Sequence, residues 1–274
     1  MNIKREMAQL PWLFNVNREL APWPLKMLAL PIHGLLNLVV KRDYGDGSSV
    51  LPATGGALIV ANHVSSFDPL LLAEFVAYQG RWPYFLAKSQ LFNVPLLGWL
   101  FRQAGQVPVY RGTDHSSDAL DAAVKHIQAG RVIVMYPEGT VSQEPNMWPM
   151  ACKTGAARIA IAARCPVIPV VQYGANQVLS DGGGVHRIAR KGWGGPGNGW
   201  DLFPRKWVSY RIGEPIDMSS YGADPADREA CRAATVRIVE VLTGMSEELR
   251  GEQAPELLWN EGTHSRVPLD EAVW

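Results

Sequence analysis

A surplus of charge is what this chain lacks first. Its 274 residues carry 26 lysines and arginines against 26 aspartates and glutamates, a formal net charge of zero. Binding to a phosphate backbone needs a clustered basic excess, so nucleic acid is excluded as a partner and any basic patch has to be local. Cysteine is scarce as well. Cys152, Cys165 and Cys231 are odd in number and fall into no CxxC or Cys/His spacing, which excludes a disulfide framework and a structural zinc site. They read as small buried hydrophobes in a reducing cytoplasm. Also missing is the uninterrupted run of roughly 18 to 20 apolar residues that a spanning helix requires. The best candidate, WPLKMLALPIHGLLNLVVKRDY at 23–44, is cut by Lys26, Pro31, His33 and Asn37. It has neither the basic start nor the small-residue cleavage site of a signal peptide. Internal repeats are absent.

What remains is a chain with 47% hydrophobic residues, enough for one large domain with appendages. Residues 23–44 combine a leucine-rich centre with Trp12 and Trp23 upstream and Lys41 and Arg42 at the end. That mixture suits a helix lying in a membrane interface. It equally suits an amphipathic helix packed on the protein's own core.

Beyond this segment, short β-rich runs at 57–60, 107–110, 131–136, 167–173 and 207–212 alternate with stretches of helical character. Ser66 is an N-cap candidate for DPLLLAEFVAY, with Asp68 and Pro69 in the first turn. Ser116 likewise precedes SDALDAAVKHIQA as an N-cap candidate, and Gly130 closes that helix. Asp224 and Pro225 open a long helix that runs to about Leu242. Strands separated by helices imply an α/β fold, with a mainly parallel or mixed sheet covered by helices on both faces. The expected organisation is an N-terminal helical segment at 1–45, a main domain at 46–246 and an irregular tail at 247–274. DGGGVHRIARKGWGGPGNGW at 181–200 reads as a long loop whose Arg187, Arg190, Lys191, Trp193 and Trp200 are placed either to touch lipid headgroups or to stand in solvent.

Ligands of an open parallel sheet sit beyond the carboxyl ends of its strands. Leaving 57–60 the chain supplies Asn62, His63 and Asp68; leaving 107–110, Arg111; leaving 131–136, Pro137, Glu138, Gly139 and Thr140. Singly each has an ordinary reading: a turn histidine, a first-turn acid, a surface arginine, a tight turn. Together they put a histidine, carboxylates, a cation and a hydroxyl on one edge. A histidine backed by an aspartate, with no Ser or Cys nucleophile suitably placed between them, suits a general base acting on a hydroxyl that the substrate brings.

NHVSSFD at 62–68 matches the NHxxxxD signature of the glycerolipid acyltransferases, the lysophosphatidic acid acyltransferase family, and YPEGT at 136–140 resembles their FPEGT block. LAKSQLFNVPLLGWLFRQAGQVPVYRG at 86–112 is similar to the lysine-bearing and Gly-to-Arg block, and CPVIPVVQYG at 165–174 to the last, apolar one. The four blocks stand in family order. The resemblance implies an O-acyltransferase that moves a fatty acyl group from acyl-CoA or acyl carrier protein to the free hydroxyl of a lysophospholipid. The expected acceptor is 1-acyl-glycerol-3-phosphate, giving phosphatidic acid; another lysolipid headgroup, a thioesterase and a non-catalytic lipid-binding protein are the alternatives. By motif position His63 is the base and Asp68 its orienting partner. Asn62, Glu138, Gly139 and Thr140 belong to the acceptor site, Arg111 meets the phosphate, and Lys88 and Lys153, placed on the CKTGAARIAIA helix, are further contacts. No cofactor and no metal are implied, the acyl donor being a co-substrate. The family docks on membranes through N-terminal helices, which favours the interfacial reading of 23–40 and a peripheral or monotopic place at the cytoplasmic face. One departure stands out: FPEGTR is usual in the family, and here Val141 takes the place of the cation.

Overall fold

The computed structural model describes residues 23–45, 50–110, 116–181 and 198–273. Seven strands form one sheet: β1 (Val40–Asp43), β2 (Ala57–Ala61), β3 (Pro83–Lys88), β4 (Val107–Val109), β5 (Val132–Met135), β6 (Val167–Tyr173) and β9 (Lys206–Ile212), in the order β1-β9-β6-β2-β5-β3-β4. The five strands from β6 to β4 are mutually parallel; β9 runs antiparallel to β6, and β1 follows β9. A short pair, β7 (Leu179–Asp181) and β8 (Asn198–Trp200), and a C-terminal hairpin, β10 (Leu258–Asn260) and β11 (Ser265–Val267), lie outside this sheet.

β2, ALIVA, is buried at every position, as a central strand covered on both faces must be. One cover is α1 (Trp23–Val39) with α2 (Asp68–Tyr78), which set Leu36, Val39, Leu71, Leu72 and Phe75 against Ile59, Val134 and Ile168. The other is α4 (Ser116–Gln128), α5 (Gly155–Ala163) and α6 (Arg228–Arg250), whose Ile127, Ala156, Ile159, Ile238 and Leu242 pack on Leu58, Val60 and Ile133. The short α3 (Leu97–Gln103) follows a single 3-10 turn, Ser89–Asn93, in the arm that joins β3 to β4.

Several local expectations give way to tertiary contacts. β3 and β1 form strands that the sequence pattern did not mark, because pairing partners stabilise them more than their own alternation does. Ser66 does not cap α2: the residue at the cap is Phe67, and the Ser66 amide donates instead to Asp181 Oδ2 at 2.6 Å. The last helix begins at Arg228, capped by Asp227 accepting from the Ala230 amide, and does not stop near Leu242. It continues to Arg250, where Gly251 ends it in the left-handed conformation. The tail beyond it is ordered, with Leu258 and Ala272 packed against Ala151, Cys152 and Val239. Residues 181–200 are not wholly irregular, since their two ends pair as β7 and β8; Arg187, Arg190, Lys191 and Trp193 lie outside the described residues.

Helix α1 packs on the core through Leu36 and Val39 while Leu35 and Leu38 face outward. Arg42 is no membrane anchor. It is nearly buried, and its guanidinium pairs with Glu74 of α2, to which His33 also bonds at 2.5 Å and the Tyr44 hydroxyl at 2.9 Å. Lys41 lies over the Trp207 ring on neighbouring β9. Among the described residues no helix is long and apolar enough to cross a membrane. All three cysteines are free and buried.

Candidate active site

The turn from β2 into α2 is short, and it folds around one carboxylate. Asp68, fully buried at the start of α2, accepts at Oδ2 from the amides of Val64 (2.6 Å) and Ser65 (2.9 Å) and from His63 Nδ1 (3.0 Å). A carboxylate on Nδ1 sets the imidazole tautomer and leaves the Nε2 lone pair for a substrate. Burial pushes the Asp68 carboxyl up from its ordinary value, against the pull of His63 and the two amides. Such a carboxylate gains most when its neighbour becomes a cation, which is what a base does on taking a proton.

The loop after β5 is fastened to this turn. The His63 amide donates to Glu138 Oε1 at 3.2 Å, and the Ser142 amide donates to the His63 carbonyl at 2.6 Å. The Tyr136 ring stacks on the His63 imidazole, with centroids 3.9 Å apart and planes 11° from parallel. Burial pushes the Glu138 carboxyl well up, and the nearby Asp68 charge adds to this against hydrogen bonds from the amides of His63 and Met150. Gly139 takes φ +78° to close the turn, and a Cβ there would meet the Lys153 side chain at 3.4 Å. Lys153 precedes α5 instead of lying on it; its amide bonds to the Pro137 carbonyl and its side chain is exposed across the turn.

The structure thus brings His63, Asp68, Glu138, Gly139, Thr140 and Lys153 to one place, with Gly139 and Thr140 half-buried at its surface. Lys88 is exposed at the end of β3, two strands from β2 on the same edge, about 10 Å away at ordinary strand spacing. Arg111 lies outside the described residues. Asn62 is a correction. Its side chain is buried and fully engaged across to β6, donating to the Gln172 carbonyl at 3.0 Å and accepting from the Gln172 amide at 2.9 Å. It sets the spacing of β2 and β6 and offers nothing to a ligand. Glu138, likewise buried, supports His63 from behind and does not line the surface.

Sequence reasoning missed Tyr136, the platform under the imidazole, although an aromatic opening the PEGT block was a signal. It also missed Gln172 and Asp181, and it placed Trp200 on a lipid-facing or solvated loop without its contact to Phe67. The Trp200 ring meets Phe67 edge-on at 5.4 Å, and Ser65 Oγ donates to the Leu179 carbonyl at 2.7 Å, so the β7–β8 pair holds the His63–Asp68 turn from outside. Neither nearby candidate is a nucleophile: the Ser65 hydroxyl is committed to that carbonyl, and burial pushes the Cys152 thiol well up.

A His/Asp pair at the carboxyl end of a central parallel strand, with a glycine turn and a lysine beside it, is the equipment of a general-base transferase. Residues 45–173 match the family model for acyltransferases, and it is this family that the chain resembles. The relatives it resembles are 1-acyl-sn-glycerol-3-phosphate acyltransferases. The enzyme of that name from Salmonella typhimurium is 30% identical over 184 residues, 65% of this chain and 65% of its own. A chloroplastic one from Brassica napus is 30% identical over 124 residues, 45% of this chain and 34% of its own. The chain therefore spans about one third to two thirds of the length of these relatives. In fold it is similar to the crystal structure of the 1-acyl-sn-glycerophosphate acyltransferase of Thermotoga maritima. That similarity has a TM-score of 0.58 at 22% identity and covers 84% of this chain and 81% of the other.

Proposed function

We propose that this protein is an O-acyltransferase that moves a fatty acyl group from an acyl thioester, acyl-CoA or acyl carrier protein, to the free hydroxyl of a lysophospholipid. The proposed acceptor is 1-acyl-glycerol-3-phosphate and the product phosphatidic acid. The observation that carries this reading is the His63–Asp68 pair, with Nδ1 on the carboxylate, the ring stacked on Tyr136 at the head of the PEGT block, and the neighbouring Ser65 hydroxyl committed to the Leu179 carbonyl. His63 Nε2 takes the proton of the acceptor hydroxyl as its oxygen bonds to the thioester carbonyl carbon. The tetrahedral intermediate collapses, the C–S bond breaks, and the imidazolium returns the proton to the departing thiolate. Asp68 stabilises the imidazolium between these steps, and Tyr136 keeps the ring in plane.

Lys153, exposed over Gly139, and Arg111 are assigned to the acceptor phosphate, with Lys88 further along the edge. The planar fork of an arginine grips two phosphate oxygens where a lysine offers a point charge, which makes Arg111 the principal clamp in a chain with Val141 after its PEGT block. A lipid acceptor implies work at a bilayer surface, and the outward Leu35 and Leu38 of α1 support docking there as a peripheral protein on the cytoplasmic side.

The test is incubation of the purified chain with labelled acyl-CoA or acyl carrier protein and a panel of lysolipids, with products read by mass. Diacyl phospholipid formed only in the presence of an acceptor is the expected result. Free fatty acid released at the same rate with and without an acceptor would make the protein a thioesterase.

A further inference from the structure

Of the twelve large apolar side chains exposed among the described residues, ten gather at one edge; the other two are Leu70 on α2 and Leu257 in the C-terminal tail. Call the edge where the five parallel strands end the catalytic edge, since His63 leaves β2 there. Leu91, Val94, Leu96 and Trp99 stand in the arm that leaves β3 at this edge, and Tyr110 follows β4 there. Trp200, Phe203 and Trp207 lie where the chain enters the antiparallel β9, which is the same edge, and Leu35 and Leu38 end the helix that enters β1 there. Among the described residues, the connections at the opposite edge expose no large apolar side chain. Solvent-facing apolar side chains gathered on one edge mark a surface that meets something apolar.

The arm from Ser89 to Gln103 is the part of this rim built to be rigid. Phe92 and Phe101 meet edge-on at 5.5 Å, Arg102 Nη1 donates to the Phe92 carbonyl at 2.7 Å, and Gly98 lies so close that a Cβ would stand 2.0 Å from that oxygen. At its tip the Leu97 amide bonds to the Pro95 carbonyl at 2.7 Å, turning the chain at Leu96 with φ 64° and ψ −53°. This γ-turn is rare and strained for a residue with a side chain. The strain goes to presenting a leucine that is 77% exposed, with Trp99 48% exposed beside it. From Gln79 to Thr113 the sequence holds Arg81, Lys88, Arg102 and Arg111 and no acidic residue. Arg81 is buried, whereas Lys88 and Arg102 are exposed.

We propose that this arm is a second membrane-docking surface, distinct from α1, on which Leu96 and Trp99 enter the headgroup region of an anionic bilayer while Lys88 and Arg102 meet its phosphates. Apolar insertion combined with local positive charge in a chain of zero net charge is the combination that an anionic lipid surface selects. α1 and the arm then straddle His63, one beyond each side of β2 in the sheet order, so that a lipid leaving the bilayer between them arrives at the base. The inference rests on the lipid acyltransferase reading for the identity of the surface.

The three native cysteines are buried, so a cysteine introduced at the surface takes a label selectively. An environment-sensitive fluorophore on Leu96→Cys should brighten and shift to the blue on adding phosphatidylcholine vesicles that contain phosphatidylglycerol. The same label on Ser220→Cys, exposed at the opposite edge, should stay unchanged. Leu96→Asp combined with Trp99→Asp should lower partitioning onto those vesicles about tenfold while leaving transfer to a water-soluble short-chain lysolipid intact. An unchanged label at 96, or equal changes at both positions, overturns the inference whether or not the protein sediments with the vesicles. Loss of the inference with transfer intact leaves the proposed function standing, and absence of transfer to any lysolipid removes the proposed function whatever the label does.

Discussion

At the scale of single residues, the hydrogen bond from His63 Nδ1 to Asp68 leaves Nε2 as the ring nitrogen for the acceptor hydroxyl in the proposed reaction. A positioned general base is worth about 10²- to 10⁴-fold in rate. His63→Ala is therefore expected to lower kcat by at least about 100-fold with the circular-dichroism spectrum unchanged, and a loss under tenfold would remove His63 from the role. Asp68→Asn favours the wrong tautomer and should lower kcat by about 100-fold or more. Asn62 stands next to the base and does something else. Its buried amide bonds Gln172 twice, so Asn62→Ala strands a buried donor and a buried acceptor, each costing about 1 to 3 kcal/mol. Thermal unfolding should show that loss, and KM for the acceptor measured on the folded fraction should not move.

Between elements, two fastenings control the geometry of the His63–Asp68 turn. The first joins α1 and β1 to α2, where Glu74 takes hydrogen bonds from His33, Arg42 and Tyr44. Burial pushes the Glu74 carboxyl up, and His33 and Arg42 together outweigh it and hold it below its ordinary value of 4.5. A depressed carboxyl contributes stability that is present above its unfolded value and is lost as pH falls through the folded one. Glu74→Gln should thus destabilise at pH 7 by on the order of 3 kcal/mol, with the gap to the parent closing below pH 4.5 in melts taken across the acid range. The second fastening is the β7–β8 pair, which touches the turn through Leu179, Asp181 and Trp200. Trp200→Ala removes the cover of Phe67, the residue before Asp68. It should lower kcat severalfold by loosening the His63–Asp68 geometry, and Trp200→Phe should restore most of it. Equal kcat in parent and alanine variant would make the ring a surface feature.

For the molecule as a whole, the edge that carries the proposed base and the PEGT turn also carries the exposed apolar rim, whereas the connections described at the opposite edge expose polar and small residues but no large apolar side chain. α1 belongs to both aspects: it is part of the core through Leu36 and Val39 and part of the rim through Leu35 and Leu38. Deleting residues 1–40 is accordingly expected to cost folding and vesicle binding together, because it removes core side chains and strips Glu74 of His33. A well-folded truncated chain with a melting temperature equal to the parent's would show that α1 is an appendage. Leu35→Asp with Leu38→Asp, which spare the core, should lower vesicle sedimentation and leave the melt unchanged.

The strand-turn-helix at 57–78, the closure of α4 by Gly130, the parallel strands and the convergence of His63, Asp68 and the PEGT turn on one edge were legible in the sequence. Each depends on neighbours a few residues apart, and parallel strands joined by helices necessarily deliver their carboxyl ends to the same side. The partners of individual side chains were not. Glu138 meets His63 across 75 residues and Asn62 meets Gln172 across 110, so a motif position that suggested substrate contact became a buried strut once the chain closed on itself. The same holds for Arg42, whose place at the end of an apolar helix looked like an anchor until Glu74 of α2 was packed beneath it. Sequence spacing determines which groups leave a strand at which edge, whereas burial decides which of them face a substrate, because a polar group removed from water takes the nearest partner that the fold supplies.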